Sequence, residues 1–111
     1  ERDAYHGPRV VWGREVNLLL LGIANQLAAA TDAGGRPRTP ALAPDVATLT
    51  DAIRRVHEAV AASGFEHSEL WSYRIENGAL RPERYGISSD LQLWSSADLA
   101  VQYMLARLRV R

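Results

Sequence analysis

The stretch Ser68–Gly86, SELWSYRIENGALRPERYG, decides the fold, because two alternating runs flank the dipeptide Asn77-Gly78. Asn-Gly is typical of a two-residue type I′ turn, in which both central residues need a positive φ. The turn predicts the cross-strand pairs Glu76–Ala79, Ile75–Leu80, Tyr73–Pro82 and Trp71–Arg84. Because side chains alternate along a strand, one face of this hairpin is apolar. That face comprises Trp71, Tyr73, Ile75, Leu80 and Pro82.

Helical patterns on both sides of the hairpin can cover this apolar face. Apolar residues recur at helical spacing over residues 14–31 and again over residues 45–63. A third helix is predicted from near Ser96, after the capping pattern Ser95-x-x-Asp98. We therefore predict a single α+β domain over residues 14–111, with two N-terminal helices, a β-hairpin and a C-terminal helix.

The predicted sheet is small. Its strands cover residues 67–76 and 79–86, and a two-stranded sheet is marginally stable alone. A third short strand at Leu91–Leu93 or at Val10–Trp12, or a second copy of the chain, would extend it. The apolar stripe of the first helix is also wider than one contact face needs, which is typical of a central helix or of an oligomer interface.

Two segments are predicted to lie outside regular structure. Residues 1–13 are predicted to be a tail, and residues 32–44 a mobile loop without a regular element because of their glycines and prolines.

The polar start shows no secretory signal, and since Glu1 is not a methionine the chain can be part of a longer protein. The apolar run of residues 16–30 is shorter than the roughly 20 residues that a membrane-spanning helix needs.

Composition excludes several kinds of chemistry. The 111 residues carry no net charge, which argues against nucleic acid as a partner and favours self-association. The absence of cysteine excludes a disulfide scaffold and a thiolate nucleophile. All thirteen basic residues are arginines, which excludes lysine chemistry and is typical of a GC-rich bacterial genome. We predict no cofactor and a cytoplasmic location.

Neither a catalytic nor a metal site is predicted from the polar residues. The histidines His6, His57 and His67 do not share a helix-face spacing, so they do not form a cluster of metal ligands. One enzymatic alternative stays open, in which His57 or His67 works with a nearby acid.

Aromatic residues are the candidate site residues. Trp71 and Tyr73, on the apolar hairpin face, are predicted to contact a ligand if the fold encloses one. Trp12, Trp94 and Tyr85, together with the hairpin edge, are predicted to form an interface.

The order helix, loop, helix, hairpin resembles the opening of a GAF domain. The resemblance spans residues 14–87 and rests on three segments, Glu69-Leu70-Trp71-Ser72-Tyr73, Asn77-Gly78-Ala79-Leu80-Arg81 and Arg84-Tyr85-Gly86-Ile87. GAF domains continue with further strands and a pocket helix, whereas residues 88–111 read here as little more than one helix. The resemblance implies a shortened relative that has lost the family's ligand pocket.

The function expected first is a non-catalytic protein–protein interaction or regulatory module in a bacterial cytoplasm. It would act in signalling through homo- or hetero-oligomerisation, with itself or another protein as partner and without nucleic acid or membrane. One alternative is a shortened GAF-like sensor of a small ligand, and another is a small enzyme with a histidine–acid pair.

Overall fold

Three helices and a three-stranded antiparallel sheet form the fold, in a computed structural model that describes residues 7–86 and 98–108. The predicted α+β class is confirmed. The elements are β1 Val10–Trp12, α1 Gly13–Ala30, α2 Ala43–Ser63, β2 Leu70–Glu76, β3 Ala79–Arg84 and α3 Asp98–Arg107.

The sheet has the order β1-β2-β3, and its hairpin has the predicted register. Asn77 and Gly78 have φ of 52° and 76°, as a type I′ turn requires, and Ile75 pairs with Leu80. The third strand is Val10–Trp12, which pairs with residues 70–72. The predicted tail over residues 1–13 therefore contains a strand of the sheet, while the alternative strand Leu91–Leu93 lies outside the described residues.

The core lies between the three helices, with α1 in contact with both others. Its buried residues are Leu20, Ala24, Leu27, Ile53, Val101 and Leu105. α1 is thus central in the fold, which is one of the two alternatives that its wide apolar stripe left open. The surplus width of its apolar stripe is not covered within the described chain, because Leu18 and Leu19 each remain 53% exposed.

The connection between α1 and α2 is more regular than we predicted for residues 32–44. The Asp32 carboxylate accepts hydrogen bonds from the backbone N–H groups of Gly34 (2.8 Å) and Arg36 (3.0 Å). A β-bridge joins Thr31 to Pro37, and a 3₁₀ turn covers Pro40–Leu42. The prediction of no regular element was wrong, because Asp32 organises the glycine-rich turn through its side chain.

The pH dependence of stability should report these Asp32 contacts. The hydrogen bond from the Arg36 backbone N–H, with help from Gly34, holds the pKa of Asp32 below its ordinary value. A lowered folded-state pKa stabilises the protein above the unfolded-state pKa, and this stabilisation is lost as the pH falls through the folded value. We expect Asp32→Ala to lower the melting temperature at pH 7, with a smaller difference from the wild type below about pH 4.

Circular-dichroism melting of both proteins between pH 2 and pH 7 measures this effect. A difference in melting temperature that stays constant through the acid range would show that the Asp32 carboxylate contributes nothing in its charged form.

Candidate functional site

The outer half of the hairpin carries an uncovered apolar surface. We call Tyr73, Ile75, Leu80 and Pro82 the hairpin face. We predicted that Trp71, Tyr73, Ile75 and Leu80 pack against the helices. Trp71 lies among residues of all three helices and Tyr73 is half-buried, but Ile75 and Leu80 are each 64% exposed, so the prediction was wrong for the outer pair. The physical reason is that the helices meet the sheet at the root of the hairpin, around Trp71, and leave the outer half of its face uncovered in the described part of the chain.

The opposite side of the hairpin is charged and internally neutralised. Arg74 and Arg81 face each other across the strands. Their guanidinium nitrogens lie 3.6 Å from the Glu83 carboxylate and 3.7 Å from the Glu76 carboxylate, respectively. Two opposed arginines are stabilised by acids beside them, and these two glutamates supply that charge. The hairpin is therefore strongly amphipathic, with a solvated ionic side and an exposed apolar side.

A cavity of about 150 Å³ lies at the root of the hairpin, where the sheet meets all three helices. Residues from α1, α2, β2, α3 and the turn after α2 surround it. They are Gly13, Val16, Asn17, Leu20, His57, Val60, Ala61, Phe65, Glu66, Trp71 and Gln102. Most of this lining is apolar, and its polar groups are concentrated in a few side chains.

The polar part of the cavity wall joins α2 to α3. A Gln102 amide nitrogen and the His57 Nε2 form a short hydrogen bond across 45 residues of sequence. This contact joins an imidazole nitrogen to a side-chain amide inside the cavity wall. Asn17 of α1, 8% exposed, also lines this cavity.

The turn after α2 places an aromatic pair beside these polar groups. Gly64 ends the helix in the left-handed conformation with φ of 73°, and the Ser63 hydroxyl accepts a hydrogen bond of 3.0 Å from the Phe65 N–H. Phe65 then stacks on Trp71, with ring centroids 6.2 Å apart and planes inclined by 16°. The end of α2 thus fixes one aromatic wall of the cavity.

The fold places the predicted aromatic site residues at different locations. Trp71 lines the cavity, whereas Tyr73 is half-buried two residues further along β2 and is not among the described lining residues. Trp12 in β1 and Tyr85 after β3 are half-buried, so each keeps some exposed surface. Trp94 lies outside the described residues.

The histidines are also separated. His57 and Glu66 line the same cavity, but the hydrogen bond that the structure gives to His57 leads to Gln102 and not to a carboxylate. His67 is exposed before β2, and His6 lies outside the described residues. Within residues 7–86 and 98–108, no group of three histidine or acidic side chains is arranged to hold a metal ion.

Gln102 and Asn17 are the site residues that sequence reasoning missed. Neither lies in a motif, and each lies among apolar residues of a helix. Their only sequence signal is this isolated polarity on a buried helix face, which requires a hydrogen-bond partner from another element.

Comparisons with protein families, curated proteins and solved structures gave no match to this chain. The resemblance to GAF domains therefore stays a prediction. None of the helices in the described parts of the chain combines the length and the apolar character that crossing a bilayer requires.

Proposed function

We propose that this chain is a non-catalytic interaction module that self-associates through the hairpin face. The observation that carries this proposal is the exposure of Ile75 and Leu80, which pair across β2 and β3 and are each 64% accessible. Solvent-exposed aliphatic side chains in adjacent positions are typical of an interaction surface when they form a contiguous patch. Tyr73 and Pro82 extend the patch toward the root of the hairpin.

A second copy of the chain suits this surface in shape and charge. A two-fold contact brings the same patch from each copy together, so that apolar side chains meet apolar side chains. The arginines Arg74 and Arg81 on the opposite side are paired with glutamates of their own chain, so their charges are neutralised within each copy. A net charge of zero also removes long-range repulsion between copies.

The open edge of the sheet supports the same partner. In the part of the chain that the structure describes, β3 has a neighbour on one side only, and Pro82 removes one of its backbone donors. An edge of this kind is protected against unlimited strand addition, while the face beside it remains available. Association face to face is therefore favoured over growth along the edge.

As part of the proposal, the module has a regulatory role in a bacterial cytoplasm. The arginine-only basic composition supports a bacterial source. Trp12 and Tyr85, which keep exposed surface, are proposed to contribute further contacts to the interface.

Substitution on the hairpin face should dissociate the oligomer. We expect the wild-type chain to sediment as a dimer at micromolar concentration, and the double variant Ile75→Thr/Leu80→Thr to sediment as a monomer. Threonine has the β-branched shape that strands favour, so the hairpin itself should persist. Because four aliphatic side chains are lost from each dimer, the dissociation constant should rise about 100- to 1,000-fold.

The matched control is Glu76→Gln/Arg81→Gln on the charged side of the same strands. It removes an exposed ion pair, which contributes little to stability, and should leave the dimer intact. Sedimentation velocity between 1 and 100 µM measures all three proteins. A wild-type monomer throughout this range, or a threonine variant that remains dimeric, would refute the proposed function.

A further inference from the structure

The cavity at the root of the hairpin has the volume of a single-ring ligand. At about 150 Å³, it is far larger than one water molecule. Close-packed interiors retain few voids of such size, whereas an apolar cavity of about 150 Å³ accepts benzene. We propose that this cavity binds a small neutral aromatic compound carrying one hydrogen-bonding group, of the phenol class.

The apolar walls favour a planar aromatic ligand. Phe65 and Trp71 present nearly parallel rings on one side, and Val16 and Val60 supply aliphatic groups from α1 and α2. Aromatic rings gain from offset stacking or edge-to-face contact with other aromatic rings, in addition to the burial of their area. A flat aromatic ring can contact the aromatic side chains and the aliphatic side chains of the cavity at the same time.

The polar wall selects for a neutral hydroxyl group. The wall contains the imidazole of His57 hydrogen-bonded to the side chain of Gln102, and Asn17 lies in the same lining. The described lining contains no arginine, and its one charged side chain is the carboxylate of Glu66, so an anionic ligand is disfavoured. A hydroxyl group can both donate and accept, which suits imidazole and amide groups alike.

This inference is independent of the proposed self-association. Ile75 and Leu80, which carry that proposal, are not among the described residues that line the cavity. A ligand here would contact α1, α2, α3 and β2 at the same time. Failure of either proposal therefore leaves the other to be decided by its own experiment.

Nuclear magnetic resonance titration with phenol tests the site directly. We expect saturable shifts of the backbone amide signals of the lining residues, with a dissociation constant of about 0.1–1 mM, as a ligand of so few atoms allows. Ala61→Leu adds bulk on the cavity lining and should weaken phenol binding at least about tenfold. Ala62→Leu is an equal change at the next residue, which is exposed as Ala61 is but is not among the described lining residues, so it should bind phenol as the wild type does.

A second variant tests the chemistry of the polar wall. Gln102→Leu keeps the approximate volume of the side chain but removes its hydrogen-bonding group, so it should weaken phenol binding at least about fivefold and leave toluene binding unchanged or tighter. The proposal is overturned if phenol produces no saturable shifts in the wild type, or shifts scattered over the surface. Equal phenol affinity in folded Ala61→Leu would overturn it as well. If Ala61→Leu does not fold, the proposal is tested by the location of the wild-type amide shifts and by phenol and toluene binding to Gln102→Leu.

Discussion

Replacing Ile53 by alanine will lower the free energy of unfolding by about 2–5 kcal/mol. Ile53 is 1% exposed and is the only residue of α2, which the structure describes in full, that is buried completely. Its side chain packs in the cluster that includes Leu20 of α1 and Leu105 of α3. Because the cavity left by truncation lies between helices held from several sides, the core cannot collapse to fill it.

Urea unfolding followed by circular dichroism measures this change. The conservative control is Ile53→Val, which removes one methylene group and should cost about 0.5–1.5 kcal/mol. Since a domain is commonly stable by only about 5–15 kcal/mol, the alanine variant should unfold at a markedly lower urea concentration. Equal unfolding midpoints for the alanine and valine variants would mean that Ile53 does not lie in a close-packed core.

The second large effect is expected from a buried charge at Ala24. Ala24 is fully buried in α1 at the centre of the three-helix cluster. Ala24→Asp would place a carboxylate among aliphatic side chains, and an uncompensated buried charge costs about 3–5 kcal/mol. Burial would also raise the pKa of the introduced carboxyl, so the loss of stability should diminish at acid pH as the group becomes neutral.

Ala28→Asp is the matched control, since Ala28 lies one turn further along α1 and is exposed. It carries the same helix-propensity cost without burial, and should lower the free energy of unfolding by less than about 1 kcal/mol. Urea unfolding at pH 7 and pH 4 compares the two variants. Similar losses at residues 24 and 28 would show that α1 is not the centre of the packing.

The register of the hairpin could be predicted from sequence because it depends on one local requirement. A two-residue turn needs two residues that tolerate positive φ, and Asn77-Gly78 meets this need between alternating runs. Once the turn is placed, the cross-strand pairs follow by counting, including the diagonal ion pair of Arg74 with Glu83. Both helices before the hairpin followed from periodicity in the same local manner.

The cover over the hairpin could not be predicted in this way. Alternation shows which side chains share a face, but it does not show what lies over them. The exposure of Ile75 and Leu80 depends on how far the helices reach over the hairpin, and in the described chain they meet the sheet at its root, around Trp71. A local pattern contains no information about where helices that are distant in sequence will pack.

The cavity could not be predicted from the sequence, for a similar reason. His57 and Gln102 are 45 residues apart in sequence, and they meet because α2 and α3 both pack against α1. The organised turn at Asp32, by contrast, had a readable signal, since an aspartate before two glycines commonly bonds to the following backbone. The glycine and proline content of the loop predicted no regular element, whereas the position of Asp32 within it predicts this turn.

The pairing of β1 with β2 has a consequence for the order of folding. The β2 and β3 partners are separated by one tight turn, so the hairpin can close on the microsecond scale. Val10 and Ser72 are about 60 residues apart, and α1 and α2 lie between them. Closing so long a loop is entropically unfavourable until the intervening helices have docked. We therefore expect β1 to join the sheet last, after the hairpin and the helices have assembled.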